Sequence, residues 1–431
     1  MSREITASIL SIGDELLIGQ TVNTNAAWIG GRLSLHGIRP VEVRTIGDDR
    51  ATILRTLEEL SGDLVLITGG LGPTKDDITK DALCEFFSTR LVRHADVEER
   101  IVAIFNKLGR SVLEVNRAQA DLPEACTVLP NHRGTASGMW FTRQREEGPA
   151  RVFVSMPGVP YEMKGMMERE VLPRAVEHFH PPSIVHRTIL TTGLGESHLA
   201  ERIADWEDGL AADRVKLAYL PSPGIVKLRL STYAGAVPAE ARRRVDRQAE
   251  ALYEAIPDLI FGEGEDRLET VLGNLLTGNG QTLSLAESCT GGYIAHRITS
   301  VPGSSAYFTG GVVSYANAVK MEELGIPSDM LELNGAVSRP VVERMAQGVR
   351  QALRTDWSMA TSGVAGPDGG TPDKPVGTVW MAVAGPEGVI SRVSVFPGSR
   401  EQVITRSALA AMNMLRKALL GQLVAEEGHP G

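Results

Sequence analysis

Cysteine is scarce in this chain. Cys84, Cys126 and Cys289 are the only three in 431 residues and lie far apart, so neither a disulfide framework nor a zinc cluster can be read from them. Aromatic residues make up 5%. No apolar run reaches the ~18 residues of a membrane-spanning helix, and Met1-Ser2-Arg3-Glu4 leads straight into a strand-like stretch without the basic and apolar regions of an export signal. Positive charge is also short: 44 Lys and Arg face 53 Asp and Glu, for a formal net charge of −9. A general nucleic-acid binder needs a basic face, so that class is disfavoured. The chain does have 42% hydrophobic residues and 45 glycines. That suits a soluble, cytoplasmic protein with real cores and many turns, and at about 150 residues per domain its length predicts two or three domains.

Strand and helix signals alternate over the first third. Ile5 to Ile12 reads as a buried strand, Asn23 to His36 as a helix stopped by Gly37, and Pro40 to Ile46 as a strand. Ala51 to Leu60 reads as a helix, Asp63 to Thr68 as a strand, Val97 to Leu108 as a helix and Arg151 to Ser155 as a late strand before a Met-rich helix from Glu162. That alternation predicts a parallel sheet covered by helices. His178-Phe179-His180-Pro181-Pro182 reads as a linker. Beyond it, strands at Val185 to Thr191 and Val226 to Thr232 and helices at His198 to Trp206 and Ala239 to Ala255 predict a small α+β unit. The last third is again α/β. Strands are expected at Thr282 to Ala286, Gly310 to Tyr315, Trp357 to Thr361, Val376 to Ala384 and Val389 to Phe396. Helices are expected at Leu268 to Leu276, Gly291 to Thr299, Ala316 to Leu324, Val341 to Leu353 and Arg400 to Leu419, with a frayed tail at Glu426 to Gly431.

One candidate site is the turn Thr68-Gly69-Gly70-Leu71-Gly72-Pro73-Thr74-Lys75-Asp76-Asp77-Ile78-Thr79, between a strand and a helix. Glycines there let backbone N–H groups approach a phosphate. Neither a Walker loop nor a dinucleotide fingerprint is present. A second loop, Gly13-Asp14-Glu15, follows the first strand. If both strands are central, Asp14 and Asp77 converge, and two carboxylates beside a phosphate loop suit a divalent metal and pyrophosphate chemistry. The alternative is that Asp76, Asp77 and Thr79 cap a helix and the glycines merely turn the chain.

The other candidate is Ala286-Glu287-Ser288-Cys289-Thr290-Gly291-Gly292, again between strand and helix. Ser288 near the helix start, with close approach permitted at Gly291 and Gly292, could meet an oxyanion or phosphate held by unpaired N–H groups. A bare serine needs a base, and no histidine is an obvious one. The next strand ends in Tyr315-Ala316-Asn317-Ala318-Val319-Lys320, which would bring Tyr315 and Lys320 to the same mouth. With a pKa near 10.4 only about one lysine in 2,500 is neutral at pH 7; lowering it to about 7.5 takes roughly 4 kcal/mol, which burial or a positive field can supply. Tyr315 would relay the proton or orient the amine. Against this, Ser288 can be an N-cap, Tyr315 a wall and Lys320 a solvated cation. The turn Thr361 to Gly370 could bind ribose or phosphate, or be a flexible loop. Cys289 is read as core, His178 and His180 as surface, and Gly193-Leu194-Gly195-Glu196 as a helix-start turn.

Together these motifs resemble the CinA family (competence/damage-inducible protein A) over nearly the entire chain. The first domain, 1–178, is similar to the molybdopterin-binding fold of MoaB and MogA proteins through Gly13-Asp14-Glu15, Thr24-Asn25, Gly69-Gly70-Leu71-Gly72-Pro73-Thr74 and Asp77. Met156-Pro157-Gly158-Val159-Pro160-Tyr161-Glu162-Met163 is also typical of the family. The resemblance implies metal-dependent hydrolysis of ADP-ribose to AMP and ribose 5-phosphate. Asp14, Glu15, Asn25, Gly69, Gly70, Gly72, Thr74, Asp76 and Asp77 would surround the nucleotide, with Asp14 and Asp77 as candidate metal ligands. The middle unit, 183–258, is similar to a KH-like domain, with Gly195-Glu196-Ser197 near its start.

The last domain, 263–422, resembles nicotinamide-nucleotide amidase. It does so through the Ser288 turn, Tyr315-x-Asn317-x-x-Lys320, Gly335-Ala336-Val337-Ser338 and Ser362-Gly363-Val364-Ala365-Gly366-Pro367. By that resemblance Ser288 is the nucleophile and Lys320 and Tyr315 complete the catalytic group, with no cofactor. Thr290, Gly291, Gly292, Ser362, Gly363, Gly366 and Arg400 would bind substrate, Arg400 at its phosphate. The fold class expected is α/β: a three-layer α/β first domain, a small α+β KH-like middle domain and an α/β amidase domain. The expected partners are pyridine nucleotides and ADP-ribose, with no membrane or nucleic acid, and a homodimer is expected. Two further readings stay open: a non-catalytic pterin or nucleotide sensor in the first domain, and a competence-related scaffold.

Overall fold

The computed structural model describes residues 4–72, 74, 77–145, 149–182, 184–233 and 238–422. The chain forms two compact units, 1–185 with 233–241 and 186–232 with 242–431. No described helix is long and apolar enough to cross a membrane.

In the first unit six strands make one sheet, in the order Ile38–Ile46, Ile5–Ile12, Leu64–Thr68, Arg151–Met156, Gly138–Arg143, Thr127–Leu129. The first four are parallel and the last two antiparallel. Side chains alternate between faces along a strand. Ile5, Ala7 and Ile9 accordingly meet Leu33 and Met163 on one side, while Leu10 and Ile12 meet Leu57 and Leu83 on the other. That gives the expected three layers. Register fixes where the loops leave the sheet. Ile12 pairs with Ile46, Ser11 with Thr68, and Thr68 with Met156. Four loops therefore emerge side by side at the carboxyl edge, where ligands bind in open α/β sheets.

The second unit carries two sheets. The middle one has the order Lys216–Ser222, Ile225–Tyr233, Ile184–Thr192, Ile260–Glu263. The C-terminal one has the order Phe308–Val313, Leu283–Glu287, Trp357–Gly363, Thr378–Gly385, Gly388–Val395, of which the first three strands are parallel. Leu190 and Phe261 of the middle sheet share a core with Leu272, Met381, Leu409 and Met412. The α+β portion thus keeps its own sheet but is not a separate compact body. On the other face, Val342, Met345 and Val349 of helix Arg339–Leu353 pack over Ala286, Ala360 and Ala382, whose small side chains let the helix approach closely.

Several expected boundaries move. The linker at His178 is helical through Phe179, and the chain turns only at His180, which takes φ 47°. The helix expected from His198 to Trp206 is two, Glu196–Arg202 and Ala204–Gly209, separated at Ile203. Lys216–Ser222 and Ile260–Glu263 are strands with weak alternation that pattern reading missed. The tail at 426–431 lies outside the described residues.

Candidate functional site

The C-terminal sheet aligns three serines. Glu287 is in register with Val313 on one neighbour and Thr361 on the other, so Ser288, Ser314 and Ser362 follow at one carboxyl edge. Helix Asn317–Leu324 then returns Lys320 beneath that edge. Lys320 is 1% exposed. Its Nζ lies 3.2 Å from Ser288 Oγ, 2.6 Å from the Ser314 carbonyl oxygen and 3.3 Å from that of Tyr315. Burial holds its pKa below the ordinary lysine value. A neutral amine has two N–H bonds and one lone pair. The two carbonyls satisfy the N–H bonds, which leaves the lone pair for the Ser288 hydroxyl. Ser288 itself is partly open to solvent.

The turn after Ser288 is less available than expected. The buried Glu287 carboxylate accepts hydrogen bonds from Gly292, Ile294 and Ala295 N–H, filling the start of helix Tyr293–Thr299. Gly291 N–H donates to Ser288 and Tyr293 N–H to Thr290. Among the described residues, Cys289 and Thr290 N–H have no acceptor from another residue. Gly292 begins the helix with φ 93°, a conformation that favours glycine. Burial pushes the Cys289 thiol up to about 12, so the thiol stays protonated, in keeping with its reading as core.

The expected role of the Tyr315 side chain changes. Tyr315 is 61% exposed, and its hydroxyl accepts from Arg400 Nη2 at 2.9 Å, with no bond to Lys320 or Ser288. What reaches the amine is the Tyr315 main-chain carbonyl. Arg400 also donates to the Gly366 carbonyl at 2.8 Å. It lines a cavity of about 630 Å³ with Thr290, Gly291, Gly292 and His296. Ser362 Oγ donates to the Ala336 carbonyl at 2.7 Å, and the Thr290 and Thr361 hydroxyls are paired. Ser362 and Thr290 therefore fix the loops around the mouth.

In the first unit the four aligned loops enclose a cavity of about 540 Å³ lined by Glu15, Asn25, Asp48, Gly69, Gly70, Gly72, Asp77 and Glu162, among others. No Lys or Arg lines it among the described residues. Gly69 has φ 109°, and a Cβ there would lie 2.0 Å from the Ile12 carbonyl oxygen, so only glycine lets these two loops touch. Asp14 is beside the cavity: its Oδ1 accepts from Asp48 N–H and its own N–H donates to Asp48 Oδ2. Burial, followed by the Asp14, Glu15 and Asp77 charges, raises the Asp48 pKa despite that backbone bond. Asp77 does not cap the following helix. It accepts from Gly72 and Thr74 N–H and from the Thr74 hydroxyl, and so closes the turn. Asn25 Nδ2 donates to the Gly158 carbonyl at 2.7 Å, while its Oδ1 is buried without a partner. Asp76 lies outside the described residues. No group of three or more His, Cys, Asp or Glu is arranged to hold a metal among the described residues.

Sequence reasoning missed Asp48, Glu162 and Glu287. Asp48 had a readable signal, because it follows Gly47 at the end of the strand beside Ile5–Ile12. Glu287 lay inside a recognised motif, but only coordinates show its carboxylate folding back over the turn.

Three family models match in succession. One described as a probable molybdopterin binding domain matches residues 8–177, one described as the damage-inducible protein CinA KH domain matches 186–262, and one described as the CinA C-terminal domain matches 265–419. A CinA-like protein of Flavobacterium psychrophilum is 46% identical over 96% of this chain and 98% of its own. Another, from Salinibacter ruber, is 46% identical over 88% of this chain and 90% of its own. The crystal structure of the competence/damage inducible protein CihA from Agrobacterium tumefaciens, 36% identical, covers 36% of this chain and 93% of that one with a TM-score of 0.35.

Proposed function

The chain belongs to the CinA family, and from that premise we propose that its C-terminal domain is an amide hydrolase that converts nicotinamide mononucleotide to nicotinate mononucleotide and ammonia. The observation that carries this reading is the buried Lys320 amine 3.2 Å from the Ser288 hydroxyl. Neutral Lys320 accepts the Ser288 proton while Ser288 Oγ bonds to the carboxamide carbon. The carbonyl electron pair moves to oxygen, where the unpaired Cys289 and Thr290 N–H groups are the available donors. Lys320 then returns the proton to the amide nitrogen, the C–N bond breaks and ammonia leaves. Water, deprotonated by Lys320, attacks the acyl-Ser288 carbon; that proton passes to Ser288 Oγ as the C–O bond to serine breaks, and the acid product gives its own proton to solvent and departs as the carboxylate. Tyr315 acts through its carbonyl on the amine and through its hydroxyl on Arg400, which faces the cavity that would take the substrate phosphate. The experiment is ammonia release from the mononucleotide, which Ser288→Ala should abolish; robust turnover by that variant removes Ser288 from the reaction.

A second reading is favoured by the first unit's cavity, whose charged lining among the described residues is entirely acidic. We propose that it hydrolyses ADP-ribose to AMP and ribose 5-phosphate. A pyrophosphate entering carboxylates needs a cation between them. Hard carboxylate oxygens suit Mg²⁺, which typically takes one or two of them plus substrate phosphates instead of a full protein cage. One or two of Asp14, Asp48 and Asp77, and not all three as a cage, would hold it together with the substrate phosphates, and the ion would supply charge neutralisation there. Asn25 Oδ1, buried and unpaired, is placed to accept a hydrogen bond from the ligand. AMP formation that persists in chelator counts against the metal. Tight ADP-ribose binding without any AMP makes the cavity a sensor instead.

A further inference from the structure

Three amide side chains line the carboxylate cavity of the first unit: Asn23, Asn25 and Gln119. Two of them are committed to the protein. Asn23 Oδ1 accepts from Ala26 N–H, and its Nδ2 donates to the Thr45 hydroxyl. Asn25 Nδ2 donates to the Gly158 carbonyl. Gln119 is different. The residue is 5% exposed, yet neither end of its amide has a hydrogen-bond partner among the described residues. Its polar atoms are not sealed by protein either, and the little surface the residue keeps lies on the cavity. A nearly buried amide with both ends free is a costly thing to build into a wall unless something fills it.

Gln119 is also held in place. It is the middle residue of the helical turn Ala118–Ala120. Lys80 Nζ donates to carbonyls on either side of it, that of Ala118 at 3.3 Å and that of Asp121 at 3.1 Å. The Ala120 carbonyl accepts from His94 N–H at 3.0 Å, and Ala120 itself is in the core. A tied backbone presents the amide from a fixed position, as a binding site requires.

The surroundings narrow what could fill it. Glu15, Asp48, Asp77 and Glu162 also line the cavity, and ionised carboxylates only accept. A primary amide offers a donor and an acceptor side by side in one plane. That pair matches an edge of adenine, where the 6-amino group donates and a neighbouring ring nitrogen accepts. Val22 and Val159, 79% and 53% exposed, line the same cavity and give a flat ring apolar surface to lie against.

We propose that Gln119 is the residue that reads the base in this cavity, accepting from the 6-amino group of adenine and donating to the adjacent ring nitrogen. This rests on the reading that the cavity takes ADP-ribose and assigns the part of that substrate which sets its specificity. The test is calorimetric titration of the full chain in Mg²⁺ with AMP and with purine riboside 5′-monophosphate, which lacks only the 6-amino group. Nicotinate mononucleotide is present throughout to occupy the Ser288 mouth. The wild type is compared with Gln119→Met and Gln119→Leu, which keep bulk and remove the hydrogen bonds; thermal melts show that they fold. The wild type should bind AMP about tenfold or more tightly than the amino-free nucleotide, the scale of a buried acceptor left unpaired. Both variants should bind the two nucleotides equally. Equal affinities in the wild type overturn the proposal without recourse to a variant. A preference for AMP that survives in a folded variant also overturns it, because Gln119 then meets the ribose or phosphate, or only shapes the wall. Failure of either nucleotide to bind overturns it as well. AMP formation from ADP-ribose is followed alongside. A preference that Gln119 controls, without AMP formation, upholds the base reader in a cavity that binds and does not cleave. AMP formation without that preference upholds the hydrolysis and removes Gln119.

Discussion

The two units put loops at the carboxyl edge of parallel strands in the same way but fill that edge with opposite chemistry. In the C-terminal sheet one cation is buried, its N–H bonds absorbed by main-chain carbonyls, and a hydroxyl is held against it. In the N-terminal sheet several carboxylates crowd together and part of their hydrogen-bonding capacity goes into shaping their own loops. Burial drives the lysine toward its neutral form and so readies it as a base. Burial, and after it the Asp14, Glu15 and Asp77 charges, drives Asp48 toward protonation. The same topology thus gives one edge with a buried amine against a hydroxyl and one lined by carboxylates.

Four variants would break or sharpen that contrast. The largest is expected for Lys320→Met, which should lower ammonia release about 10³-fold while leaving ADP-ribose hydrolysis intact, within the 10²–10⁴ range for general bases. The same variant should melt higher at pH 7. Because the folded Lys320 pKa lies below the unfolded value near 10.4, the native state binds fewer protons between the two. The cost of burying the amine is therefore full below the folded pKa and fades as pH rises toward 10.4, and the melting advantage of the variant should fade with it. Next comes Asp48→Asn, expected to reduce AMP formation about 10–100-fold, the scale of lost metal-site support, with ammonia release unchanged. A smaller effect is expected for Glu287→Gln, which keeps the shape but loses charge on three N–H bonds; denaturant unfolding should show a loss of about 2 kcal/mol. The smallest belongs to Tyr315→Phe. Since the hydroxyl meets Arg400 and the carbonyl meets Lys320, kcat should change less than about threefold, well under the ~10² of a lost proton relay, with any effect in KM.

Much of this was legible in the sequence because both sites sit where a short apolar strand ends in glycine. Ser288 and Asp77 are found that way and Lys320 in the helix after the next strand; β-branched residues mark the strands before Asp77 and Lys320, whereas Leu283–Glu287 before Ser288 has none. Pairings that depend on register are less visible. Asp48 joins the first cavity because Ile46 pairs with Ile12, a relation between strands separated by a helix. Tyr315 shows the limit of side-chain reasoning, since its contact with the amine is made by the backbone. Lys216–Ser222 escaped because its residues are half-exposed and end in Pro221-Ser222, so no alternation marks it. The helix through Phe179 was hidden by prolines that begin only two residues later.

If Lys320 is uncharged when it takes the Ser288 proton, the pH dependence of kcat/KM for ammonia release will report its titration. The rate should climb through an apparent pKa below the ordinary lysine value, and that climb should disappear in Lys320→Met. A profile that keeps its rising limb in that variant, or rises only near the pKa of a solvent-exposed lysine, would contradict it.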